Sequence, residues 1–227
     1  AFAGNNTKEP AAVQLLVDAL SDPSFRIRSL AITNLGKVKM DDAIIAKIEA
    51  IAKNEPRKTV KADAIDMLGT LQKDSYKALF IQAPKDSSYS VAGAGLEALS
   101  AIDSVTALAT ANELSKQPSK GRLNEAISAV LISYGDEKAF KAVSESFEKM
   151  PLSFPKVQMS ASYAAFAAKL SNFAEFKKAV DAIVEFRDLI PASAKMQTDP
   201  MINAALKAEK KSGFRAILRT INRRLLN

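Results

Sequence analysis

The stretch FRIRSLAITNLG, residues 25–36, decides how the chain is read, because its apolar and small residues return at nearly fixed spacing. Ile27, Ala31, Ile32, Leu35 and Gly36 are followed by Val60, Ala64, Ile65, Leu68 and Gly69, then by Val91, Gly95, Leu96, Leu99 and Ser100. These copies start 33 and 31 residues apart. A looser fourth copy begins another 31 residues on, with Arg122 at the apolar start and Ala126, Ile127, Val130 and Leu131 behind it. Self-similarity at this period marks stacked supersecondary units, each too small to bury its apolar face alone. At 100° per residue the apolar positions fall within an arc of ~140°, a core-facing helical stripe. The small residue in the middle of the stripe lets a neighbouring helix come close.

Signals on either side of each copy complete a helix pair. Pro23, Pro56, Pro84 and Pro118 mark the turn inside successive pairs, since proline cannot continue a helix interior. Asp41, Asp74, Asp103 and Asp136 recur between pairs, where a carboxylate accepts backbone N–H bonds and suits the positive end of a helix dipole. Gly36 is placed to close its helix in the left-handed conformation. The expected pairs are 11–20 with 25–35, 42–53 with 59–71, 75–81 with 89–102, and 104–114 with 122–133. Beyond Gly135 the period fades. A fifth pair is expected over 136–150 and 157–170, then a long helix over 173–189, a loop over 192–199, and final helices over 200–211 and 214–226.

With only 8 glycines and 9 prolines in 227 residues, the composition favours helix nearly throughout. The expected fold is all-α, a right-handed α-α superhelix of about five helix pairs plus C-terminal capping helices. It is read as one domain over 1–227, with regular repeats over about 10–135 and divergent helices over about 136–227.

The chain has no histidine, cysteine or tryptophan. Zinc sites of the usual nitrogen and sulfur kind, serine or cysteine triads and thiol redox chemistry are therefore excluded. The paired-carboxylate setting that would raise a pKa for acid–base work is not recognisable in the sequence. The expectation is a chain without catalytic, metal or cofactor residues of its own. No run approaches the ~18 apolar residues of a membrane span, and the compartment stays open between bacterial periplasm and cytoplasm. The first residues, Ala1 to Asn6, have no signal-peptide character, and the chain reads as starting partway through a longer one.

The net charge of +7 is concentrated at one end. From residue 201 onward Lys207, Lys210, Lys211, Arg215, Arg219, Arg223 and Arg224 face Glu209 alone, whereas 25 basic and 24 acidic residues precede them. A solenoid that tracks nucleic acid spreads its cations along a groove, so no nucleic-acid partner is expected. In the last helix Phe214, Ile217, Leu218, Ile221 and Leu225 share one side, and Arg215, Arg219 and Arg223 another. That basic side either faces water as part of a terminal cap or docks on an acidic surface of an attached domain.

The helix pair with a proline turn and a second helix opening at Phe25-Arg26-Ile27-Arg28 resembles HEAT-like repeats, at a spacing below the ~40 to 47 usual for the class. The segment Ser21-Asp22-Pro23-Ser24-Phe25-Arg26-Ile27-Arg28, with Val60 to Ile65 and Ser90 to Leu99 behind it, resembles the helical C-terminal domain of bacterial aminopeptidase N-like zinc metallopeptidases. The resemblance implies a noncatalytic domain that packs on an upstream catalytic domain, which would hold the zinc, and limits the access of peptide substrates to the active site. Arg26, Arg28, Lys58 and Lys61, early in the second helices, would then contact peptide or domain on the concave face. Read without that resemblance, the residues fit a stand-alone HEAT-like scaffold that binds a partner protein on its concave face.

Overall fold

Pro10 sits in the first turn of α1 (Pro10–Ala19), where its missing N–H would have had no helical partner. The chain then reverses at Pro23 into α2 (Phe25–Leu35). The same plan repeats in α3 (Asp42–Asn54) with α4 (Lys58–Thr70), in α5 (Lys77–Gln82) with α6 (Tyr89–Ile102), and in α7 (Ser104–Leu114) with α8 (Gly121–Tyr134). A further pair, α9 (Phe140–Lys149) and α10 (Phe154–Ala167), precedes α11 (Phe173–Leu189) and α12 (Ala192–Lys207). This computed structural model describes residues 9–207, and among them every regular element is helical. The expected all-α helical-repeat fold is therefore present. The chain forms two compact units, Ala1–Ile127 and Ser128–Asn227.

In the first unit the signature residues make the core. Ala31, Ile32 and Leu35 of α2, Val60, Ala64, Ile65 and Leu68 of α4, and Val91, Leu96 and Leu99 of α6 are all buried. Second helices lie side by side, α2 against α4 and α4 against α6, with α3 behind α4 and α5 behind α6. Gly95 is required by a close approach: a Cβ there would stand 2.3 Å from Ala83 Cβ and 2.9 Å from Pro84 Cδ. The third pair's first helix is also shorter than expected. A 3-10 turn over Asp74–Tyr76 leads into α5, and a second over Ala83–Lys85 carries Pro84 against α6.

Three of the four expected aspartate caps form. Asp41 accepts from Ile44 N at 2.8 Å, Asp103 from Thr106 N at 3.0 Å and Asp136 from Lys138 N at 2.9 Å. Asp74 instead lies inside the 3-10 turn and makes no side-chain cap bond. Gly36 corrects the sequence reading in another way. Its φ is −63°, right-handed, and its small size matters because the Met67 methyl group occupies the space beside it. The left-handed position after a second helix is Gln72 instead, at φ 49°.

In the second unit Phe147 contacts Tyr163 at 4.6 Å and Phe186 at 5.6 Å between ring centroids, joining α9, α10 and α11. The Lys156 ammonium lies 4.9 Å from the Phe147 centroid and donates to the Met150 carbonyl at 2.9 Å. The expected loop over 192–199 is helix. Arg187 pairs with Asp199 at 3.0 Å, Thr198 donates to the Ala194 carbonyl, and Thr198 and Ile202 are buried, so tertiary contacts hold α12 through Pro200. The expected helix over 214–226 lies outside the described residues.

Glycine substitutions separate rigid from yielding neighbours. Gly95→Ala meets the backbone-fixed Ala83 Cβ, and overpacking of ~1–3 kcal/mol outweighs the ~1 kcal/mol gained in helix propensity. Gly36→Ala meets only the mobile end of Met67 and should stay within about 0.5 kcal/mol of the parent. Urea unfolding midpoints check both, and equal effects of the two would contradict the packing account.

Candidate functional site

Each turn inside the first three helix pairs carries a carboxylate folded back on the chain. Asp22 accepts from Ser24 N at 2.7 Å, Glu55 from Arg57 N at 2.9 Å and Asp86 from Ser88 N at 2.8 Å. This geometry shapes the turn just before a second helix begins. The preceding repeat supplies a cation to two of these turns. Arg28 Nε and Nη2 donate to Glu55 at 3.0 and 2.8 Å, and Lys58 pairs with Asp86 at 2.8 Å. The remaining Arg28 nitrogen donates to the carbonyls of Asp22 and Pro23, so one guanidinium holds its own turn and the next.

Burial alone would raise the Glu55 and Asp86 carboxyls. The cation beside each, and the backbone N–H each accepts, outweigh that effect and hold both below the usual carboxylate range. The first-helix side is laced in the same way, with Tyr76 donating to Glu49 at 2.8 Å and Lys77 pairing with Asp103 at 2.6 Å. The hydrogen bonds from Lys77 and Thr106 lower Asp103.

Arg122, which takes the apolar start of the fourth copy, has a distinct task. It lies over Gly93, where a Cβ would approach Arg122 Cγ to 2.7 Å, and its guanidinium reaches back across the second helices. It donates to Asp66 on α4 at 2.7 and 2.6 Å and also bonds Glu97 on α6. A cation replaces an apolar residue here because two carboxylates face it. Burial pushes Asp66 above the usual carboxylate range; Arg122 offsets this in part, while Glu97 and Asp63 add to it.

Of the residues singled out from sequence, Arg28 and Lys58 are thus engaged by the turns of the neighbouring repeat. Lys61 donates to the Lys53 carbonyl at 3.3 Å. Arg26 is exposed, with its guanidinium 5.8 Å from the Phe25 ring, and Arg57 stacks on the same ring at 4.1 Å. The four candidates are not gathered into one site. Arg215, Arg219 and Arg223 lie outside the described residues. Glu55, Asp86, Asp66 and Glu97 were not singled out from the sequence. A signal for the first two existed, a carboxylate 27 or 28 residues after each cation. Among the described residues no group of three acidic, histidine or cysteine side chains is placed to hold a metal ion. No helix among them is long and apolar enough to cross a membrane.

The most open apolar surface on a signature helix is on α2. Ile27 is 41% and Leu30 50% exposed, whereas Val60 and Val91, the counterparts of Ile27, are fully buried. The expectation that the first copy's stripe is entirely core is therefore corrected at Ile27, while Ala31, Ile32 and Leu35 are buried.

The Arg122 geometry sets a pH response. Because the folded-state pKa of Asp66 is raised, its ionisation costs stability at neutral pH, and the cost is relieved as pH falls through that value. Arg122→Met removes the offsetting charge and should cost about 1–2 kcal/mol near neutrality. Part of the loss should return as pH falls through the raised range of Asp66 and its carboxyl takes up a proton. Urea unfolding over a series of pH values checks this, and a loss independent of pH would contradict it.

No protein-family model matches the chain, and no curated protein matches it. Among solved structures it is similar to the complex of CpcE and CpcF of phycocyanin lyase from Nostoc sp. PCC7120, at 17% identity and a TM-score of 0.48, over 86% of this chain and 86% of that one. The expected place as the C-terminal domain of a zinc aminopeptidase is thereby corrected: the solved structure is named a phycocyanin lyase, not a peptidase. The expectation of a noncatalytic fragment of a peptidase falls with it.

Proposed function

We propose that this chain is a helical-repeat scaffold that binds a partner protein through the second-helix side of its first unit, with α2 as the main contact. The observation that carries this reading is the open apolar face of α2. Two large apolar side chains, Ile27 of the stripe and Leu30 outside it, stand one helical turn apart and about half exposed, whereas Val60 and Val91, the counterparts of Ile27, are covered. Repeat proteins use such surfaces because each added unit extends the binding face without altering the core.

On this reading the basic residues of the second helices have separate duties. Arg28 and Lys58 hold the repeats in register and Lys61 holds the Lys53 carbonyl, while Arg26 remains on the side offered to the partner. Removing Arg28 therefore weakens folding first, and removing Arg26 weakens association first.

The test is a photo-reactive side chain incorporated at position 30 of the full chain, followed by irradiation in extracts of its source cells. One partner protein should cross-link at position 30 and not at the exposed Lys116. Its affinity for the purified chain should fall about tenfold or more in an Ile27→Ser, Leu30→Ser variant that keeps its helical circular dichroism. A partner bound with unchanged affinity by that variant would overturn the reading.

A further inference from the structure

Lys156, in the first turn of α10, is half-buried and sets its ammonium against aromatic rings rather than against a carboxylate. Its nitrogen lies 4.9 Å from the Phe147 ring centroid and 5.6 Å from that of Phe186, and it donates to the Met150 carbonyl at 2.9 Å. Among the described residues no carboxylate forms an ion pair with it. The field of Glu148 reaches it, but that carboxylate is bound by Lys178 at 3.1 Å and by the Ser144 hydroxyl at 3.0 Å. Lys149 and Lys177 of the same unit pair with Glu145 and Asp181. Burial pushes the Lys156 ammonium below the usual lysine range, and Glu148 offsets this only in part.

We infer that Lys156 is a covalent modification site, which a small acyl thioester acylates ahead of the carboxylate-paired Lys149, Lys177 and Lys178. Only the free amine is a nucleophile, and a niche walled by two rings disfavours the charged form that an ion pair preserves. The ammonium first gives one proton to water. The nitrogen lone pair then attacks the thioester carbonyl carbon, so that a C–N bond forms and the C–S bond breaks. The thiolate leaves and takes up the second proton that the nitrogen sheds. The amide formed keeps one N–H for the Met150 carbonyl, and its charge is gone from the niche. An uncharged acyl group suits the walls formed by Phe147 and Phe186, whereas a charged one would be desolvated there without a partner.

The test incubates the full chain near neutral pH with the acetyl thioester of N-acetylcysteamine and follows acetylation of each lysine by peptide mass spectrometry. Lys156 should be acetylated about threefold or more faster than Lys149, Lys177 and Lys178. In concentrated urea, where the rings no longer cover it, the four rates should converge. Phe186→Leu, in a chain that keeps its helical circular dichroism, should bring the Lys156 rate down toward that of Lys178 and leave the other rates unchanged. A Lys156 rate in the folded parent no higher than that of Lys178 would overturn the assignment. So would an advantage that persists in urea, which belongs to the local sequence, or one that the folded Phe186→Leu chain retains in full.

Discussion

Every repeat of the first unit depends on its neighbour for cover, and the pairs Arg28–Glu55 and Lys58–Asp86 fix how successive repeats meet. Apolar burial by itself tolerates small slides of one helix on another. A bidentate guanidinium–carboxylate contact does not, because its two donors must meet two oxygens. The Arg28 and Glu55 side chains are only 16% and 8% exposed, so the pair lies largely out of water and an unpaired member would be costly. The ladder stops where its partners stop: α6 carries no basic residue, and the turn before α8 carries no carboxylate. Close packing at Gly95 and the long reach of Arg122 take over that part of the stack.

Much of this was legible in the sequence because it is local. The apolar stripe within each copy, the turn prolines and the Asp41, Asp103 and Asp136 caps each involve residues within a few positions of one another, and helix geometry converts such spacing directly into contacts. What escaped is nonlocal. Gly36 lies beside the Met67 methyl group, a repeat away, and its backbone is right-handed, not left-handed. The segment 192–199 has weak helical patterning, yet the Arg187–Asp199 pair holds it in α12. Ile27 has the same neighbours in sequence as a buried residue would, and its exposure depends on what packs against α2 from outside the repeat.

The charged candidates show the same division. Arg26, Arg28, Lys58 and Lys61 look alike in sequence, as cations early in second helices. The structure separates them by whether a carboxylate from the next turn lies within reach. Two of them tie repeats together, one caps a carbonyl, and one is exposed beside an apolar stripe. The resemblance to peptidase domains drew on the turn Asp22-Pro23 and the start of α2, and those residues have an architectural explanation in the Arg28 bonds to the Asp22 and Pro23 carbonyls.

Arg28 and Glu55 act as one structural unit between repeats. A double-mutant cycle of Arg28→Met and Glu55→Gln, followed by urea unfolding, measures it directly. The Glu55 carboxyl is held below its ordinary range, so the pair's contribution is complete above that range and is lost as pH falls through the lowered folded value. The predicted coupling is about 1–2 kcal/mol near neutral pH, fading below about pH 4. Additive single effects near neutrality, with no coupling between the two residues, would contradict the account.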